Sequence, residues 1–167
     1  SHGGAIYGLA NYGTVSYSNF TNNQAVYGGA ISLNNASSNA RISNVRFENN
    51  HATKNGGAID DNSTGMELEN VMFVNNEADE YGGGLCAETS ATKGLGENNT
   101  FIENDAGISG GAIAWLGASE ISIDNYKFIN NTPFREVIFC THRLNSQIVS
   151  SCRSQSLHFI RKRSHSI

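Results

Sequence analysis

Acid and base chemistry on a polysaccharide needs carboxylates gathered on one face, often beside a basic group. His51, Glu77 and Asp105 come closest to that arrangement, at intervals of 26 and 28 residues. A solvated polar corner is the plainer reading of this trio. Glu77, Asp79 and Glu80 form an acidic run that could hold a weakly bound calcium ion through oxygen ligands. An exposed charged turn is the expectation there, and the calcium-binding pattern Gly-Gly-x-Gly-x-Asp is absent. Asp60-Asp61 has no acidic counterpart at the equivalent positions Ser32 and Cys86. Cys86 lacks a suitably spaced His to activate it as a nucleophile, so it reads as a buried or half-buried thiol. The three cysteines, Cys86, Cys140 and Cys152, stand in no metal-ligand spacing. Trp115 and Tyr126 could stack on a sugar, with packing the simpler role. The residues therefore give no catalytic group, no metal site and no cofactor as the expectation.

The elements that would position these side chains follow from two recurring landmarks. The first is a glycine pair followed by small and aliphatic residues: Gly3-Gly4-Ala5-Ile6, Gly28-Gly29-Ala30-Ile31, Gly56-Gly57-Ala58-Ile59, Gly82-Gly83-Gly84-Leu85 and Gly110-Gly111-Ala112-Ile113. The second is Phe followed three residues later by Asn: Phe20/Asn23, Phe47/Asn50, Phe73/Asn76, Phe101/Asn104 and Phe128/Asn131. Glycine pairs recur at steps of 25, 28, 26 and 28 residues, and Phe at steps of 27, 26, 28 and 27. Two motifs interleaved at so constant an offset mark an internal repeat. Ala25, Ala52, Ala78 and Ala106 stand five residues after Phe, and Val15, Ile42, Leu68 and Ile123 stand five before it. His51, Glu77 and Asp105 share the position four after Phe.

A period near 27 with two or three short strands and no helical pattern predicts a coiled β-solenoid of about five turns. The composition agrees: 18 Gly, one Pro and abundant Asn favour tight turns over helices. Equivalent residues of successive turns stack in columns about 4.8 Å apart. Phe would stack inside the coil, Asn would pass amide hydrogen bonds from turn to turn, and the glycine pair would form a sharp corner. The segments Ile42–Phe47 and Leu68–Phe73 read as strands kinked near Asn44 and Asn70.

The pattern divides the chain into repeats over 1–131 and a non-repeat tail over 132–167. Pro133 takes the place of Ala, and no Gly follows. Residues 1–131 carry 5 Lys/Arg against 14 Asp/Glu, and residues 132–167 carry 6 against 1. The tail is read as a cap, as disordered, or as sequence foreign to the fold, and 134–167 is not expected to continue the coil. The chain starts inside a repeat, which reads as a fragment of a longer protein. No apolar run reaches the roughly 18 residues of a membrane-spanning helix. The basic tail reads as solvated rather than as a nucleic-acid contact, and nothing marks a nucleotide site.

Gly-Gly-Ala-Ile together with Phe-x-x-Asn resembles the repeat pair of the chlamydial-type polymorphic membrane proteins, over residues 3–131. Gly84-Leu85 departs from Ala-Ile in one copy. The resemblance implies an all-β, right-handed parallel β-helix of the pectin-lyase type, displayed at a cell surface or outer membrane, or secreted, and used in adhesion. It implies a partner at a host cell or cell surface, protein or glycan, with no nucleic acid. The expected function is a structural or adhesive surface domain and not an enzyme. The alternative is a fragment of a polysaccharide lyase or hydrolase.

Overall fold

The structure, a computed structural model, describes residues 1–88, 96–117 and 125–132, with the backbone of four further strands, Ile121–Ile123, Val137–Phe139, Cys152–Ser154 and Leu157–Ile160. Among the described residues there is no helix, and every strand pairing is parallel. The chain winds as a parallel β-solenoid. Each turn has up to four strand positions, more than the two or three read from the sequence.

Position one follows the glycine pair: Ile6–Tyr7, Ile31–Leu33, Ile59–Asp61, Leu85–Ala87 and Ile113–Trp115. Position two holds Thr14–Ser16, Arg41–Ser43 and Glu67–Glu69. Position three carries the Phe residues, in Asn19–Thr21, Arg46–Glu48, Met72–Val74, Thr100–Ile102 and Tyr126–Ile129. Position four is two residues long and carries the Ala column, from Gln24–Ala25 to Asp105–Ala106. The last had read as a corner because two residues cannot show a period. Four pairings link Phe20, Phe47, Phe73, Phe101 and Phe128 in one register. Five repeats thus give five rungs separated by about four complete turns, where about five had been expected.

Asparagine makes most of the corners, with Tyr17 and Glu103 taking the place in one turn each. Asn44, Asn70, Asn98 and Asn125, three residues before Phe, have φ between 53° and 59°, and Asn22, Asn49, Asn75 and Asn130, two after Phe, between 51° and 58°. Asn tolerates this left-handed backbone better than other residues with a Cβ. It explains why one apolar segment breaks into two strands at Asn44 and at Asn70. The glycine pair works differently at its two members. The first, such as Gly56 at φ 67°, is left-handed. At the second, a Cβ on Gly57 would lie 2.1 Å from the Gly83 carbonyl oxygen of the next turn. Adjacent turns approach there so closely that no side chain fits.

The interior is a single apolar column. Phe47, Phe73, Phe101 and Phe128 are fully buried, and Phe20 packs half-buried at the end of the row. Ring centroids are separated by 5.1, 5.1, 4.3 and 5.5 Å from Phe20 to Phe128. Trp115 and Tyr126 are buried in the same core, so neither offers a ring face to a sugar.

Beyond Thr132, Val137–Phe139 pairs on Ile113–Trp115, Cys152–Ser154 on Ile121–Ile123, and Leu157–Ile160 on Tyr126–Ile129. Phe159 falls in register with Phe128. At these three segments the backbone pairs with strands of the preceding turn; the division at residue 131 and the three readings of the tail stay expectations from the sequence. Pro133 and the segments between the strands lie outside the described residues.

Phe73 has a ring on either side, whereas Phe20 has one and is partly exposed. A buried Phe→Ala change costs about 3–5 kcal/mol, a large part of the roughly 5–15 kcal/mol available to a domain. In urea denaturation, Phe73→Ala should unfold or nearly unfold the coil, and Phe20→Ala should lower its stability by less than half as much. Glu77→Ala, at an exposed corner, should change it by no more than about 0.5 kcal/mol.

Candidate functional site

The corner read from the sequence lies on position four. Glu77 is in register with His51 on one side and Asp105 on the other. The side chains divide the trio. His51 Nε2 lies 2.9 Å from Asp79 Oδ1, while Thr132 donates its hydroxyl to Asp105 at 2.6 Å. Glu77 and Asp79 are exposed, and ligating atoms of His51, Glu77 and Asp79 come within 4.8 Å of one another. An exposed pair such as His51–Asp79 contributes little to stability, because solvent screens it. Of the acidic run, Glu77 and Asp79 gather with His51, and Glu80 is outside that group.

A second cluster forms on position one. Alternate side chains of a strand point to opposite faces. Ile31, Leu33, Ile59, Leu85, Ala87, Ile113 and Trp115 enter the core. Between them, Ser32, Asp60, Cys86 and Ala114 occupy the outer face in one register. They are nonetheless buried, with Asp60 only 4% exposed. Asp61 shares the inward face and accepts hydrogen bonds from the Ser63 amide and hydroxyl at 2.9 and 2.5 Å.

Over this outer face lies a groove of about 320 Å³. Ser32 and Asp60 contribute to its lining, with Asn34, Asn62 and Glu88 beyond the strands and Asn55 from the preceding corner. His2, Tyr7 and Tyr27 complete the aromatic side, the His2 ring stacked on Tyr27 at 5.0 Å. Among the described residues no Lys or Arg lines it. Asn55 Nδ2 donates to Glu88 Oε1 at 2.7 Å, and Asn62 Nδ2 to Glu88 Oε2 at 3.4 Å. Two buried oxygens, Asp60 Oδ1 and Asn55 Oδ1, have no hydrogen-bond partner.

Burial pushes the Asp60 carboxyl up to about 8, helped by the negative charges of Glu88 and Asp61 and opposed by a hydrogen bond from Ser32. Near neutrality Asp60 is thus mostly a carboxylic acid lying close to the Glu88 carboxyl group. Such a pair can donate a proton at one group and accept at the other, or can share a cation. Comparing identical positions in adjacent repeats misses it: Asp60 faces Cys86, and Glu88 lies two residues farther along. Diagonal neighbours at an offset of two residues on one sheet face are within reach of each other. A search of those diagonals would have found the pair.

A carboxyl whose folded-state pKa is raised binds more protons folded than unfolded. Its stabilising contribution is complete below the unfolded value and is lost as pH rises through the folded value. Asp60 moves from 3.8 to about 8, so stability should fall between about pH 4 and pH 8, by up to about 6 kcal/mol. Denaturation midpoints of the parent should decline across that range, and Asp60→Asn should flatten most of the decline.

Residues 17–38 and 44–60 match the family model described as the Chlamydia polymorphic membrane protein (Chlamydia_PMP) repeat. The matched segments take in Phe20 and Asn23 with the first following glycine pair, and Phe47 and Asn50 with the next. No curated protein and no solved structure matches the chain. The matched repeats, the same pair of motifs in the remaining turns and the parallel solenoid that they build fit polymorphic membrane protein repeats in a β-helix.

Proposed function

We propose that this chain is a structural, adhesive repeat domain displayed at a cell surface or outer membrane, as a piece of a larger secreted or surface β-helix protein. The observation that carries the reading is the unbroken stack itself. The Phe column and the Asn ladder run through every described turn, while the outward corners change from turn to turn: Gln24, His51, Glu77 and Asp105 occupy one column. A constant interior with a variable exterior suits display of a long contact surface. The partner class that fits is a protein or glycan of another cell.

The reading is also non-catalytic. Asp60 is nearly closed to solvent, and among the described residues its groove is lined by His2 but by no Lys or Arg to steady a developing negative charge. One observation favours the alternative of a carbohydrate-active fragment, namely the proximity of Asp60 and Glu88.

Two measurements separate the readings. Beads coated with the folded chain should adhere to cultured epithelial cells above the level of beads coated with heat-unfolded chain; equal binding would count against adhesion. The folded chain should release no new reducing or unsaturated ends from pectins and other acidic polysaccharides. Turnover that disappears in Asp60→Asn, Glu88→Gln, Glu77→Gln or Asp105→Asn would overturn the non-catalytic reading. Protease treatment of intact cells that produce the parent protein should remove this domain, and its complete protection would contradict surface display.

A further inference from the structure

The groove over position one has an unmet need for positive charge. Asp60, Cys86 and Glu88 each bring one ligating atom into a group whose members lie within 4.8 Å of one another. Asp60 and Cys86 face each other on adjacent turns, and Glu88 follows Cys86 by two residues on the same chain. Asn55 adds a separate observation. It is 7% exposed, and its carboxamide oxygen is buried without a hydrogen-bond partner while lining the groove. Its orientation is fixed, because its nitrogen donates to Glu88 Oε1. Turning the amide over would set two oxygens against each other. A buried oxygen left unpaired costs free energy that a bound cation would recover.

We propose that Asp60, Cys86 and Glu88, with the Asn55 carboxamide oxygen in support, form a site for one divalent transition-metal cation of the zinc type, clamping two adjacent turns of the coil.

The donor set selects the class of ion. Calcium takes six to eight oxygen ligands, and magnesium holds to six oxygens in octahedral geometry. Two carboxylates and a sulfur, with one amide oxygen, suit a four-coordinate borderline cation. Bonds of about 2.0–2.3 Å place tetrahedral ligands roughly 3.3–3.8 Å apart, so a group whose ligating atoms lie within 4.8 Å of one another needs to contract by at most about 1.5 Å. Cys86 would bind as thiolate and Asp60 as carboxylate, both protons passing to the buffer. The exposed group of His51, Glu77 and Asp79 has no buried unpaired oxygen beside it, and His51 and Asp79 are already paired.

Cobalt(II) titration of the full chain, with zinc as competitor, tests the site. The expected result is one equivalent of cobalt with a thiolate-to-cobalt charge-transfer band, displaced by zinc. Cys86→Ser should abolish the band, whereas the paired changes Cys140→Ser and Cys152→Ser, and separately His51→Ala, should leave it unchanged. Asp60→Asn and Glu88→Gln should each weaken cobalt binding by at least about tenfold. Thermal melts of the metal-free variants establish that each is folded. If Cys86→Ser does not fold, the Asp60→Asn and Glu88→Gln titrations decide alone. No binding, a band that survives Cys86→Ser or vanishes with Cys140 and Cys152, or unchanged affinity in the two carboxylate variants would each overturn the site.

Discussion

The inner asparagine ladder sets the register on which the rest of the coil depends. Asn50 illustrates the unit: its backbone N–H and its side-chain Nδ2 both donate to Asn76 Oδ1, at 3.0 and 2.9 Å, and Nδ2 also donates to the Phe20 carbonyl at 3.0 Å. Asn76 repeats the bonds upward to Asn104, and Asn104 to Asn131. These residues are buried, where a polar group without a partner is costly. A slip of one residue would strand every amide at once and would turn each strand's apolar side outward. The ladder is satisfied in one register only, and the stacked Phe rings occupy that same register.

The same constraint explains where the chain is free to vary. Backbone closeness at Gly57 and Gly83 and the inward amides fix the corners flanking position four. The path between the glycine pair and Phe has no such ladder at every step, and it carries most of the differences in repeat length. Glu88 lies at the end of position one, where that freer path starts, and the Asn55 and Asn62 amides hold its carboxylate. A fixed scaffold thereby presents an unrepeated cluster of polar groups, with Asp60 on a rigid strand and Glu88 just past the end of its neighbour. Exposed asparagines form a second, outer set of ladders, such as Asn70 to Asn44 at 2.7 Å and Asn75 to Asn49 at 2.6 Å. These hold the left-handed corners together at the surface.

The solenoid was legible in the sequence because stacking converts structure into spacing: a residue that must meet its own kind one turn away recurs at the length of a turn. Phe, Asn and the glycine pair each have a separate physical reason to recur. The two-residue strands of position four were not legible, since their only repeated member is an Ala that also suits a tight corner. Asp60 with Glu88 was hidden for a different reason. Neither residue recurs in its column, and their proximity comes from a diagonal across two turns. The trio His51, Glu77 and Asp105 shows the converse. Their shared column is real as backbone register, yet Asp79 and Thr132 take up the side chains that spacing alone had grouped.

Amide hydrogen exchange measures the ladder most directly. In Asn76→Ala the Asn50 N–H loses its side-chain acceptor one turn away, whereas the Phe47 and Phe73 strand pairing is left in place. The expected result, under conditions where the variant remains folded, is fast exchange at the Asn50 amide with the amides of the Phe47 strand still protected. An Asn50 amide as well protected in Asn76→Ala as in the parent would contradict the ladder as the element that sets the register.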